Sequence, residues 1–100
     1  MARRIAAADP NVEKVILFGS FARGDYGARS DIDLLVILGQ SSLAFRDRVF
    51  DLLPHVSSYP TDVFPYTAAE VESRLASADP FLTKAVHEGI QLYPAGLQDL

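Results

Sequence analysis

The chain has 100 residues, 49% of them hydrophobic and 22% charged, a balance that suits a globular fold and excludes a disordered or fibrous one. A chain of this length supports one domain with one modest core, so residues 1–100 are expected to form a single domain. Nine basic against 13 acidic residues leave a net charge of -4, which argues against a protein that coats nucleic acid by charge alone; the absence of cysteine excludes disulfides and thiolate metal sites.

In chain order, residues 2–8 read as the end of a helix stopped by Asp9-Pro10-Asn11. Their apolar run is too short for a secretory core, and no stretch approaches the roughly 20 apolar residues of a membrane span, so the default location is cytoplasmic. Lys14 to Phe18 is a short β-branched run and predicts a buried strand. Gly19-Ser20 follow, then a turn or two of helix ended by Gly24, and a loop over 25–30.

Asp31 to Leu38 predicts a second strand whose later half is continuously apolar, as in the middle of a sheet. Ser42 to Leu53 predicts an amphipathic helix, with Leu43, Phe45, Val49, Phe50, Leu52 and Leu53 inward, Arg46, Asp47, Arg48 and Asp51 outward, and Pro54 as its end. Residues 59–66 read as a third strand, placed at an edge by its prolines. Thr67 and Glu70 have the spacing of a capping box, so a helix is expected from there to about Ala78. Asp79-Pro80 then starts another helix that stops before Gly89. A last short strand is expected over 90–93, with a disordered tail over 95–100. The expected class is α/β (α+β): a small mixed sheet with helices packed on it.

Two short segments carry chemistry. Asp31 and Asp33 are two apart on a strand, so both project to one face, about 6–7 Å apart along the backbone. Ile32, Leu34 and Val36 then face the other way. Carboxylates so close repel, and a hard cation such as Mg²⁺ or Mn²⁺ relieves the repulsion. Taken alone, the same pair also describes two solvated acids at a strand end. Gly19-Ser20, directly after a buried strand, lets the backbone approach a ligand and aims free N–H groups at a phosphate; alone it also describes a plain turn with Ser20 as N-cap. Together they place a phosphate seat and a twin-carboxylate site on successive strands, as phosphoryl or nucleotidyl transfer requires.

The run Gly19-Ser20-Phe21-Ala22-Arg23-Gly24, followed by Ser30-Asp31-Ile32-Asp33-Leu34-Leu35-Val36, resembles the signature of the DNA polymerase β-like nucleotidyltransferase superfamily, and more narrowly its minimal bacterial and archaeal members. The likeness is clearest between Val15 and Leu38, and residues 84–93 look like the family's usual ending. It implies that Gly19 and Ser20 bind the triphosphate and that Asp31 and Asp33 bind two Mg²⁺ ions. A third carboxylate on a later strand helps to activate the acceptor hydroxyl; Asp62 is the candidate, being the only acid of the third strand. Arg23 and Arg29 flank the site and suit either phosphate or a nearby acid.

The resemblance further implies ATP as substrate and a HEPN-domain toxin as partner, with AMP passed to a tyrosine of that toxin. The chain would then be the antitoxin, in a homo- or hetero-oligomer, with no direct nucleic-acid or membrane binding. Neutralisation by binding alone, and transfer to a small molecule such as an aminoglycoside, are the rival readings. His55 and His87 have no partner at metal-ligand spacing and are expected to be structural or surface residues. Phe45, Phe50, Phe64 and Phe81 are expected in the core, and Tyr26 is a candidate for stacking on a nucleotide.

Overall fold

A computed structural model describes residues 2–24, 31–56 and 60–94. The expectations for Tyr26, Arg29 and the tail over 95–100 lie outside the described residues. Helix α1 (Ala2–Ala8) leads into strand β1 (Val12–Phe18), helix α2 (Ser20–Arg23), strand β2 (Ile32–Leu38) and helix α3 (Phe45–Leu52), which runs on into a 3₁₀ turn at Leu53–His55. Strand β3 (Thr61–Thr67), helices α4 (Ala68–Ala76) and α5 (Pro80–Glu88) and strand β4 (Ile90–Tyr93) complete the order. The sheet runs β3-β2-β1-β4, with β1 antiparallel to both β2 and β4, and β2 parallel to β3. It is a mixed α/β sheet, as the sequence predicts, and β3 takes Pro65 because it lies at an edge.

Period-two alternation sorts the side chains of the two inner strands to opposite faces. Val15, Leu34 and Val36 pack with Ile5 of α1 and Leu52 of α3. Ile16, Phe18, Leu35 and Ile37 pack with Val71 of α4 and with Leu82 and Ala85 of α5. Both faces are therefore covered, which explains why residues 34–38 are all buried and apolar. Among the described residues no helix is long and apolar enough to cross a membrane.

The helix starts follow from the caps. Thr67 Oγ1 accepts from the Glu70 N–H while the Glu70 carboxylate accepts from the Thr67 N–H, a closed capping box. Asp79 accepts from the N–H groups of Phe81 and Leu82, with Pro80 in the first turn. Helix α4 ends at Ala76, two residues earlier than expected, because Ala78 turns to φ 59°.

Helix α3 departs most from the sequence reading. It begins at Phe45, and its phase is rotated. Arg48, expected outward, is buried at 8% exposure, whereas Phe50, expected inward, is 63% exposed. Phe45 and Phe81 are each 39% exposed and lean on other rings rather than filling the core. The cause is a polar anchor. Arg48 donates to the carbonyls of Leu43 and Pro65 and to both oxygens of Glu70, at 2.7 and 3.3 Å. With Glu70 fixed by the capping box, this fork turns Arg48 toward the sheet, and Leu52, one turn on, follows it inward.

The anchor has a measurable signature. The hydrogen bonds from Arg48 hold the Glu70 carboxyl down at about 2, against the opposing effect of burial. A carboxyl lowered on folding stabilises above its ordinary value of 4.5, and that share is lost as the pH falls from 4.5 toward 2. Urea unfolding midpoints are expected to drop across that window, and Glu70→Gln to remove that part of the drop. Arg48→Met leaves two carbonyls without their donor and should lower stability by about 2 kcal/mol in the same titration.

Candidate functional site

The candidate residues gather at one end of the sheet, where β1 finishes and β2 and β3 begin. Phe18 closes β1, and its register partner across the antiparallel pair is Asp33. The register partner of Asp33 across the parallel pair is Asp62. Register partners share a face, so Asp33 and Asp62 stand side by side on the face that α4 and α5 cover, about 4.8 Å apart at the backbone. Asp31 lies just ahead of β2 and is exposed.

Gly19 follows β1 with φ 78° and ψ -155° and forms the N-cap of α2. Ser20 is thus the first helical residue, not the N-cap of a plain turn. A β-carbon on Gly19 would overlap the Oδ2 atom of Asp33, so the turn and the carboxylate are in direct apposition. Helix α2 is a single turn that Gly24 ends in the left-handed region. Arg23, its last residue, lies close enough to Asp33 for its charge to act there, and it pairs with Glu88 of α5 at 3.7 Å.

The electrostatics match an acid cluster. The Asp33 carboxyl is pushed above its ordinary value of 3.8, first by burial, then by the charges of Asp62 and Asp31, with Arg23 acting in the opposite sense. Among the described residues no three of these side chains converge into a closed metal cage. The donors instead form an open carboxylate edge against the Gly19 turn. All are hard oxygens, and Mg²⁺ is commonly held by one or two carboxylates completed by substrate phosphates and water, so the donor set fits such an ion. His55, in the 3₁₀ turn, and His87, exposed on α5, join no such group.

The sequence alone does not place one side of the site. Phe81, Lys84, Ala85 and Glu88 of α5 face Gly19 and Arg23 across a cleft of about 190 Å³ floored by Phe18. Phe18, Phe64 and Phe81 form a ring cluster beneath, with centroids 5.2 to 5.5 Å apart. The spacing 81, 84, 85, 88 marks one face of a helix. That signal was available, but nothing in it says which strand end the face meets.

Known proteins resemble this chain in sequence and in fold. The family described as polymerase beta, nucleotidyltransferase matches residues 2–95. Two Methanocaldococcus jannaschii proteins, provisionally named protein adenylyltransferases, are 62% identical over 26 residues and 56% identical over 27. Those stretches span only 26% and 27% of this chain and of the respective relatives. A crystal structure of a provisionally named nucleotidyltransferase from Sulfolobus solfataricus superposes with a TM-score of 0.59 at 32% identity, over 71% of this chain and 64% of that one. With nearly its whole length matched, the chain belongs to the polymerase beta nucleotidyltransferase family.

Proposed function

We propose that the protein is a Mg²⁺-dependent nucleotidyltransferase that moves AMP from ATP to a hydroxyl acceptor. The observation that carries this reading is the apposition of Asp33 to both the Gly19 turn and Asp62. It joins a backbone cradle for phosphates to a carboxylate edge for a divalent cation within one strand end.

Asp31, Asp33 and Asp62 would hold the cations. Bound there, the ions would neutralise phosphate charge and lower the pKa of the acceptor hydroxyl. Gly19 and Ser20 offer N–H groups and a hydroxyl to the triphosphate, and Arg23 offers a guanidinium that pairs with phosphate bidentately. The acceptor oxygen attacks the α-phosphorus, the bond from that phosphorus to the bridging oxygen breaks, and pyrophosphate leaves. Asp62, the register partner of Asp33, would orient the hydroxyl and receive its proton. The products are an AMP-modified acceptor and pyrophosphate, with no covalent enzyme intermediate.

The acceptor we propose is a tyrosine of a HEPN-domain toxin, which makes this protein the antitoxin of the pair. The names of the Methanocaldococcus relatives support a protein acceptor.

The test is incubation with ATP labelled at the α-phosphate, Mg²⁺ and a HEPN-domain toxin. Label is expected on a toxin tyrosine, with loss of toxicity, and not when EDTA is present. Toxin neutralised without label would leave binding alone as the activity. Label only on a small molecule would overturn the protein acceptor.

A further inference from the structure

Glu88 draws together cations from two elements that are distant in sequence. One carboxylate oxygen lies 3.7 Å from Nη1 of Arg23 on α2; the other lies 4.0 Å from Nζ of Lys84 on α5. All three side chains line the cleft that opens beside Gly19. The chain as a whole carries -4, yet this rim holds two positive charges against one negative. Glu88 is the last residue of α5, where the helix dipole disfavours an acid, so helix stability does not explain it.

Both ion pairs are long, and Lys84 is 68% exposed on a flexible stem. Such pairs are weak and exchange readily for a better anion. A triphosphate seated on the Gly19 turn would bring several negative charges to the same rim. From this geometry, and resting on the nucleotidyltransferase reading above, we infer that Lys84 is a ligand of the nucleotide's distal phosphates, and that Glu88 is an internal competitor which holds Lys84 and Arg23 until a polyphosphate displaces it.

The two residues therefore act with opposite signs on one equilibrium. Lys84→Met keeps the apolar stem and removes the charge; it is expected to weaken ATP binding roughly 10-fold and AMP binding much less. Lys84→Arg should keep ATP binding near that of the original protein. Glu88→Gln removes the competing charge and should tighten ATP binding roughly 3-fold, an effect that shrinks as salt is added.

The measurement is isothermal titration of each variant with ATP and with AMP in Mg²⁺, at two salt concentrations. Melting temperatures monitor the fold, which these exposed substitutions should leave unchanged. Unaltered ATP affinity in Lys84→Met, equal losses for ATP and AMP, or weaker ATP binding in Glu88→Gln would each overturn the inference while leaving the enzyme reading intact. Absence of ATP binding by the unsubstituted protein at millimolar nucleotide would instead overturn both.

Discussion

Replacing Asp31 and Asp33 together with asparagine is expected to cut nucleotide transfer by about 10³-fold or more, while the melting temperature holds or rises. The two halves of this result have one cause. The Asp33 carboxyl is partly buried beside Asp62 and Asp31, and burial and both neighbours disfavour its charge. Folding therefore concentrates negative charge that Arg23 offsets only in part and that a bound cation or a proton relieves. Asparagine keeps the shape and removes two of the charges, so the folded state loses a repulsion. Transfer loses its cation ligands, and that loss dominates the rate. Thermal unfolding without metal, together with transfer assays in Mg²⁺, checks both halves. A further sign follows: added Mg²⁺ should raise the melting temperature of the original protein and not that of the double variant. A double variant that transfers at the original rate would remove these acids from the chemistry.

The raised Asp33 carboxyl also sets a direction with pH. A carboxyl that is higher in the folded state than in the unfolded one costs stability once both are ionised. In the metal-free protein the contribution of Asp33 to stability should therefore grow as the pH falls through that range, opposite in sign to the contribution of Glu70. Asp33→Asn should remove the first trend and leave the second.

The parts of the fold that were legible in the sequence are those whose cause is local. The β-branched run before Gly19, the alternation in Asp31-Ile32-Asp33-Leu34, the Thr67–Glu70 capping box and the Asp79-Pro80 start each carry their instruction within a few residues, and the strands and helices form where those signals lie. Helix α3 departs from its hydrophobic spacing because its phase is set from outside. Hydrophobic spacing assigns Phe50 inward, but Arg48 is held by Glu70, 22 residues away, and by the Pro65 carbonyl of an edge strand. An arginine whose charge is paired and whose three guanidinium nitrogens all donate can occupy a position that periodicity reserves for an apolar side chain.

The same distinction applies to the site. Gly19 and Asp33 were readable because a glycine after a strand and an acid at the next strand's start are brought together by a short antiparallel connection. Asp62 needed one more step, the parallel register of β2 and β3, which the chain reaches only through α3. Lys84 and Glu88 were not readable. Their meaning depends on α5 lying across the end of β1, a packing fixed by Leu82 and Ala85 against Ile16, Phe18 and Leu35 rather than by any motif.

Gly19→Ala should damage fold and chemistry together, through separable physical causes. At φ 78° and ψ -155° the residue occupies a region open essentially to glycine, so a β-carbon imposes backbone strain of about 2 kcal/mol. For a domain of this size that corresponds to a fall of roughly 10 °C in melting temperature. The new methyl group also meets Oδ2 of Asp33. That atom ends a rotatable side chain, so the overlap is relieved by moving the carboxylate rather than the backbone. The stability cost of this second part is small, but it displaces the ligand from the phosphate turn. Misplacement of a reacting arrangement by about 1 Å costs on the order of 10²-fold in rate. A double-mutant cycle separates the two. In an Asp33→Ala background the alanine at 19 has no carboxylate to displace, so its stability cost should shrink by the overlap share and retain the backbone share. A cost that vanished completely in that background would show the strain to lie in the overlap alone. A Gly19→Ala protein with unchanged stability and full transfer activity would mean that neither the turn's conformation nor its contact with Asp33 matters to the reaction.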